Sequence, residues 1–172
     1  MLRAIFATDQ KRGFGYKGRL PWPRIREDMK LFREITSTGA VVMGKATYMS
    51  LPFPLPHRIH VVVSDSEIEN EEIIKIPRNQ MQHIKKFGAF ARYSRGKDVT
   101  IIGGTSLLIP EHLQHCEEIY HTEVKGVFEA DTFISEEVFE YLNTLEHTVH
   151  LETNKIITRK YETIHRPMPE SD

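Results

Sequence analysis

Asp28 is the residue with the clearest chemical potential in this sequence. The apolar residues Ile25, Met29, Phe32 and Ile35 recur at three- and four-residue spacing, which predicts an amphipathic helix from Arg24 to Thr36, with Pro23 set where a first helical turn tolerates it. At about 100° per residue, Asp28 falls beside Ile25, Phe32 and Ile35 on the flank of the apolar stripe, whereas Glu27 points away. A carboxylate set against an apolar face is desolvated and its proton affinity rises, so it can bind a proton or fix a protonated heterocycle in a pocket. An acid on a helix flank can equally well reach water or answer the amides of the first turn, and position alone leaves both readings open.

Glycines supply the second kind of chemistry. Gly103-Gly104 follows the β-branched run Val99–Ile102 and precedes a predicted helical segment at Ser106–Leu113. Bare backbone amides at such a junction can approach a pyrophosphate, and a plain strand-to-helix turn uses glycines just as readily. Gly44-Lys45-Ala46-Thr47 ends like a nucleoside-triphosphate loop but lacks the upstream glycine, because Ala40–Met43 reads as a strand. His112, His115, Cys116 and His121 invite a zinc reading, yet their spacing fits no standard pair-and-pair arrangement and His121 falls on a predicted strand, so no metal is expected. Lys85, Lys86, Arg92, Arg95 and Lys97 read as a solvated face of helix and loop.

Composition limits what these residues can serve. A chain of 172 residues with 40% hydrophobic content suits one domain with one sizeable core, residues 1–172, of which only the tail Arg166–Asp172 looks loose. Twenty-three Lys and Arg against 24 Asp and Glu leave no general field for nucleic acid or an anionic membrane. The single cysteine, Cys116, excludes an internal disulfide and fits a reducing compartment. The opening run is too short for a signal peptide and no window approaches a membrane span. These features lead us to expect a cytoplasmic monomer whose partners are small molecules.

The elements that must position Asp28 and the glycines follow from local pattern. Leu2–Ala7 reads as a buried strand running into a loop made permissive by Gly13, Gly15 and Gly18. Further strands are expected at Ala40–Met43, Ile59–Ser64, Ile73–Ile76, Val99–Ile102 and Glu118–Val124, with a second helix near Gln80–Tyr93. Thr148–Glu152 and Lys155–Ile164 read as an antiparallel hairpin across Thr153-Asn154. The pattern implies an α/β fold: a central, mainly parallel twisted β-sheet with flanking helices and an antiparallel C-terminal hairpin.

Ordered motifs then narrow the reading. The run Gly15-Tyr16-Lys17-Gly18-Arg19-Leu20-Pro21-Trp22, followed by a helix with Asp28 and Phe32, resembles the dihydrofolate reductase family. The resemblance continues through Val42-Met43-Gly44-Lys45-Ala46-Thr47-Tyr48-Met49-Ser50-Leu51-Pro52, Pro54-Leu55-Pro56-His57-Arg58, Ile101-Ile102-Gly103-Gly104, Tyr120-His121-Thr122 and Ala130-Asp131-Thr132-Phe133. Six blocks in family order span nearly the whole chain.

This resemblance implies reduction of 7,8-dihydrofolate to tetrahydrofolate by hydride from NADPH, in support of one-carbon and thymidylate metabolism. Asp28 inherits the role of the acid that hydrogen-bonds the pterin and promotes protonation of its imine nitrogen, with Thr122 linking that acid to the pterin amino group and with Trp22 and Leu20 completing the catalytic set. Ile5, Phe6, Phe32, Leu51 and Leu55 are implied as substrate walls, and Arg58 as the partner of the glutamate tail's α-carboxylate, a task suited to its planar fork. Cofactor contacts are implied for Ala7, Gly15, Leu20, Gly44, Lys45, Ala46, Thr47, Val63, Ser64, Ile102, Gly103, Gly104, Thr105, Ser106 and Leu107, with a cis peptide between Gly103 and Gly104. The basic cluster could assist the adenosine end, and Asp131 would brace the mobile loop from Gly15 to Leu20.

Three positions depart from the family pattern. Asp65 stands where many relatives carry a neutral or basic residue near the 2′-phosphate, which leaves NADH open as an alternative donor. Leu108 replaces a tyrosine and Leu20 a methionine of some relatives, changes expected to alter ring packing and loop closure. Two rival readings share the fold: a pyrimidine reductase of riboflavin synthesis and an inactive cofactor-binding or assembly protein.

Overall fold

Ala40, Val41, Val42 and Met43 are all buried, as expected of an interior strand covered on both faces. In the computed structural model, which describes residues 1–37, 39–51, 55–82 and 98–163, this segment is a strand of an eight-stranded sheet. In chain order the elements are β1 (Leu2–Thr8), β2 (Gly13–Gly15), α1 (Arg26–Thr36), β3 (Ala40–Gly44), α2 (Lys45–Ser50), β4 (Ile59–Val63), β5 (Ile74–Ile76) and β6 (Val99–Gly103). There follow α3 (Pro110–Leu113), β7 (Glu118–Val124), β8 (Thr132–Phe133), α4 (Glu136–Leu142), β9 (His147–Glu152) and β10 (Ile156–Glu162).

The sheet runs β5-β4-β3-β6-β1-β7-β10-β9. Strands β5 through β7 are parallel, and β10 pairs antiparallel with both β7 and β9. The mainly parallel sheet with its antiparallel terminal hairpin is the expected architecture. The hairpin loop is closed by the Thr153 hydroxyl, which accepts hydrogen bonds from the backbone N–H groups of Lys155 and Ile156. β9 is an exposed edge, and its Glu152 and half-buried Leu151 contrast with the buried Ala40–Met43 of β3.

Helices cover the two faces separately. On the front, Ile5, Val41, Met43, Val62, Ile102 and Tyr120 pack with Leu31 of α1, flanked by the half-buried Phe32 and Ile35. On the rear, Ala4, Phe6, Val42, Ile101 and Ile119 pack with Leu108, Leu113, Val138 and Leu142. A smaller group at the strand ends joins Trp22, Ile25, Val124 and Ile156.

Several elements differ from expectation. α1 begins at Arg26 with Ile25 as its N-cap, so Pro23 lies in the approach to the helix and not in its first turn. The helix expected at Ser106–Leu113 is confined to Pro110–Leu113: Ile109 is extended (φ −130°, ψ 155°), as the residue before a proline prefers. Residues 105–108 instead form a turn in which the N–H groups of Leu107 and Leu108 donate to the Gly104 carbonyl. Of the helix expected near Gln80–Tyr93, residues 78–82 form a short 3₁₀ turn, and the remainder lies outside the described residues, as do the basic cluster and the tail. α2, α4 and the small β2-β8 sheet add to what the sequence pattern predicts.

Candidate active site

The C-terminal ends of parallel strands are where an α/β sheet offers an open crevice, and here β1 and β7 end beside the first turn of α1. Asp28 is the third residue of that helix, whose N-terminus has no side-chain cap. Burial raises its carboxyl above the usual range, and a hydrogen bond from the Thr122 side chain opposes the rise. Thr122 lies between Ala7 and Thr158 in the sheet register. Its hydroxyl is 2.6 Å from that of Thr158, and both residues are buried. The two hydroxyls and the carboxylate therefore form one chain, in which Thr158 donating to Thr122 leaves the Thr122 proton for Asp28.

Trp22 closes the end of the crevice. It is only 4% exposed, meets Phe128 edge-on at 6.2 Å, and holds the approach to α1 against Val124 and Ile156. Leu20, two residues earlier, is 52% exposed. Its loop turns through paired backbone hydrogen bonds between Tyr16 and Arg19. Asp131 ties that loop down: its Oδ2 accepts from the Lys17 N–H at 2.9 Å, its own N–H donates to the Gly15 carbonyl at 2.9 Å, and Oδ1 accepts from the Thr132 hydroxyl. These donors hold the Asp131 carboxyl below the usual range.

Beyond the front cluster, Phe32, Leu51 and Leu55 are half-buried against the group that contains Ile5, forming an apolar wall next to Asp28. Phe6 is not part of it. Alternation along β1 sends its side chain to the rear, where it stacks on His121 at 4.8 Å. Arg58 lies across the C-terminal end of α1. Its Nε donates to the Thr36 carbonyl at 2.7 Å, and its terminal nitrogens donate to the carbonyls of Pro56 (2.8 Å) and Arg33 (3.3 Å). Of five guanidinium N–H groups, these bonds leave one on each terminal nitrogen, a pair spaced for a carboxylate.

A second cradle lies at the ends of β3, β4 and β6. The Gly103-Gly104 peptide is cis, as the resemblance implies. A Cβ at Gly104 would stand 3.4 Å from Thr47 Oγ1, and one at Gly103, where φ is +139°, would press on Phe14 and Thr47. Side chains would fill this space, so backbone faces backbone, with Gly44 and the uncapped N-terminus of α2 opposite. Lys45 Nζ donates to Ser66 Oγ at 2.9 Å, and Ser64 Oγ accepts from the Ser66 N–H. Amides, hydroxyls and one ammonium fit the phosphates of a dinucleotide. Asp65 turns its Oδ1 to the Arg78 N–H at 3.0 Å. Val63 is buried at the end of β4, Ala46 and Ser106 are exposed, Thr105 is half-buried, and Leu107 packs with Leu108 in the rear core.

The residues of the zinc reading have separate partners. His112 Nδ1 bonds the Leu107 carbonyl, burial pushes the Cys116 thiol up to about 12, and His121 Nε2 bonds Thr8 Oγ1 at 2.7 Å. Among the described residues no group of three His, Cys, Asp or Glu could hold a metal, and no helix is long and apolar enough to cross a membrane.

Sequence reasoning passed over three residues. Thr158 gave no local signal. His60 is buried on β4 and accepts from the Leu55 N–H. Asp9 receives the N–H groups of Lys11, Gly13 and Phe128, and a Cβ at Gly13 would strike its carboxylate. Only Asp9 carried a readable cue, an aspartate beginning a turn.

Comparison with known proteins agrees with this geometry. The family model described as dihydrofolate reductase matches residues 1–169. The chain is 32% identical over 155 residues to the dihydrofolate reductase of Gallus gallus, covering 78% of each, and 30% identical over 146 residues to that of Aedes albopictus, covering 77% of each. Among solved structures it is similar to a dihydrofolate reductase from Enterococcus faecalis complexed with NADP(H) and RAB-propyl, with a TM-score of 0.72 and 25% identity over 94% of this chain and 95% of that one. With a desolvated Asp28 at the strand ends, a glycine cradle beside it and matches running the length of the sheet, the chain belongs to the dihydrofolate reductase family.

Proposed function

We propose that Asp28 is the proton-handling residue of this dihydrofolate reductase, acting on 7,8-dihydrofolate with NADPH as the hydride donor. The single observation that carries the assignment is the position of Asp28, half-buried on the flank of α1 and joined to Thr122 at the ends of β1 and β7. NADPH, when bound, supplies the hydride to the carbon next to the imine nitrogen. The chain's own residues do the rest. Asp28 hydrogen-bonds the pterin and favours its protonation at the imine nitrogen, which accounts for the one proton the reduction consumes besides the hydride. Thr122 fixes the carboxylate and the pterin amino group, and Phe32, Leu51, Leu55 and Ile5 orient the ring. Arg58 presents its two remaining N–H groups to the tail carboxylate.

Lys45, Thr47, Ser64 and the Gly103-Gly104 backbone would hold the dinucleotide. The hydrogen bond from Arg78 to Asp65 leaves a carboxylate whose charge Lys45 offsets, so NADPH is the preferred donor and NADH a poorer one. Leu20, exposed on the loop braced by Asp131, closes over the reacting rings and excludes water. We further propose a one-domain, monomeric, cytoplasmic enzyme, in keeping with the lone buried thiol of Cys116.

The test mixes the protein with dihydrofolate and either NADPH or NADH and follows loss of reduced-nicotinamide absorbance. Asp28→Asn is expected to lower kcat by about a hundredfold or more. Absence of dihydrofolate-dependent oxidation with either donor overturns the assignment, and full activity in the variant overturns the role of Asp28.

A further inference from the structure

His60 lies on β4, beneath the segment that carries Leu55 and Arg58. It is buried, and its Nε2 accepts the Leu55 N–H at 3.0 Å. Its other hydrogen bond is to the backbone of Arg58. With Nε2 used as an acceptor, the neutral ring carries its proton on Nδ1, so that bond runs from Nδ1 to the Arg58 carbonyl. One imidazole thus grips both ends of a four-residue segment.

That segment has reason to need a grip. His57, in its middle, sits at φ +63°, a conformation uncommon for a residue with a side chain. Arg58 folds back so that one terminal nitrogen donates to the carbonyl of Pro56 in the same segment. The Arg58 end is also fastened to the sheet, because the Ile59 N–H donates to the Gly39 carbonyl. The Leu55 end has the His60 ring. If Leu55 swings away, the Pro56 carbonyl moves with it, and the guanidinium loses one of the three contacts that aim its free N–H pair.

We infer that His60 is a positioning residue for the acidic tail of the substrate: it fixes the Leu55–Arg58 segment so that the Arg58 fork meets a carboxylate already aligned. This rests on the reading of Arg58 as the tail clamp. Charge plays no direct part, since a neutral imidazole cannot pair with the tail, and protonation would remove the acceptor for Leu55. The contribution is pre-organisation, which is read in substrate affinity and not in the chemical step.

The test compares KM and kcat for dihydrofolate with those for a dihydropterin lacking the aminobenzoylglutamate tail. His60→Leu, which removes both ring contacts, is expected to raise the dihydrofolate KM about fivefold to tenfold with kcat within about twofold, and to change the tail-less KM by less than about twofold. His60→Gln, whose amide oxygen can accept the Leu55 N–H, restores most of the difference. Should His60→Leu fail to fold, His60→Asn serves, because it keeps a donor for Arg58 and has no atom at the Nε2 position. In an Arg58→Ala background the His60 substitutions should add nothing further to the dihydrofolate KM. Equal KM changes for both substrates, unchanged KM for both, or additive effects in the double variant overturn the inference. If Arg58→Ala alone leaves the two substrates' KM ratio unmoved, the clamp reading falls and the inference with it; if Arg58→Ala moves the ratio and the His60 variants do not, only the inference falls.

Discussion

Asp28 is held between two opposed influences: burial favours its neutral form and the Thr122 hydroxyl favours its charge, with burial the larger. Because the folded pKa lies above the unfolded one, the folded chain binds the extra proton more tightly within that window, and stability falls as pH rises through it. Above the folded pKa the full cost of the buried charge is present. Asp28→Asn is therefore expected to raise the thermal unfolding midpoint at pH 7 while removing activity, and to leave the midpoint unchanged once the pH is below both pKa values. Calorimetry across pH 3 to 8 checks this. A midpoint lowered at pH 7 would show that the carboxylate stabilises the fold, contrary to the net effect of its burial. Function retained against stability is the expected signature of an active-site acid.

At the scale of elements, the loop bearing Leu20 and the strands β2 and β8 form one unit held by few bonds. Asp131 contributes two carboxylate bonds and one through its backbone, and its side chain is exposed. Asp131→Ala removes only the carboxylate bonds. It should lower kcat about fivefold, the rate equivalent of one lost hydrogen bond, with the thermal midpoint little changed. Steady-state kinetics with both substrates saturating reads this directly, and a large fall in midpoint with unaltered kcat would assign Asp131 to stability alone. The shortening of α3 has a comparable local origin. Pro110 keeps Ile109 extended, so the Gly103-Gly104 turn is followed by a tight turn and then a short helix, and the junction offers backbone amides and hydroxyls without a long helix behind them.

For the whole molecule, the rear core buries a group that titrates below neutral pH. His121 is buried in the rear core between Phe6 and Phe139, and burial, aided by Arg159, pushes its pKa down to about 3. The unfolded chain binds a proton near pH 6.5 that the folded chain refuses. The stability linked to this histidine is present above that pH and is lost as pH falls toward 3, at up to about 1.4 kcal/mol per unit. His121→Leu should flatten the fall in unfolding free energy between pH 6 and 4, as measured by urea titration at each pH. A slope equal to that of the wild type would place the acid sensitivity elsewhere.

Much of this architecture is legible in the sequence. β7 spans Glu118–Val124 as read from its β-branched residues, and α1 and most other parallel strands lie within a residue or two of their expected limits. The elements that escaped reading are short or weakly patterned: α2 has six residues, β8 has two, and α4 is a seven-residue helix. The site followed the same division. Asp28, Thr122, Arg58 and the paired glycines stand within ordered motifs, whereas Asp9 meets Phe128 across 119 positions and Thr122 meets Thr158 across 36, distances at which local pattern carries no information.

By itself the sequence determined the family, the order of strands and helices in the chain, and which acid, arginine and glycines were available for chemistry, because these rest on residue types and on spacing within one element. Only the tertiary structure decided how those residues share a site. Strand alternation says that Ile5 and Phe6 point apart, but the placement of α1 decides that Ile5 packs with Leu31 on the front and Phe6 in the rear core. Likewise the hydroxyl behind Thr122 and the imidazole beneath Leu55 arise from packing and sheet register, which bring together side chains that the sequence keeps apart.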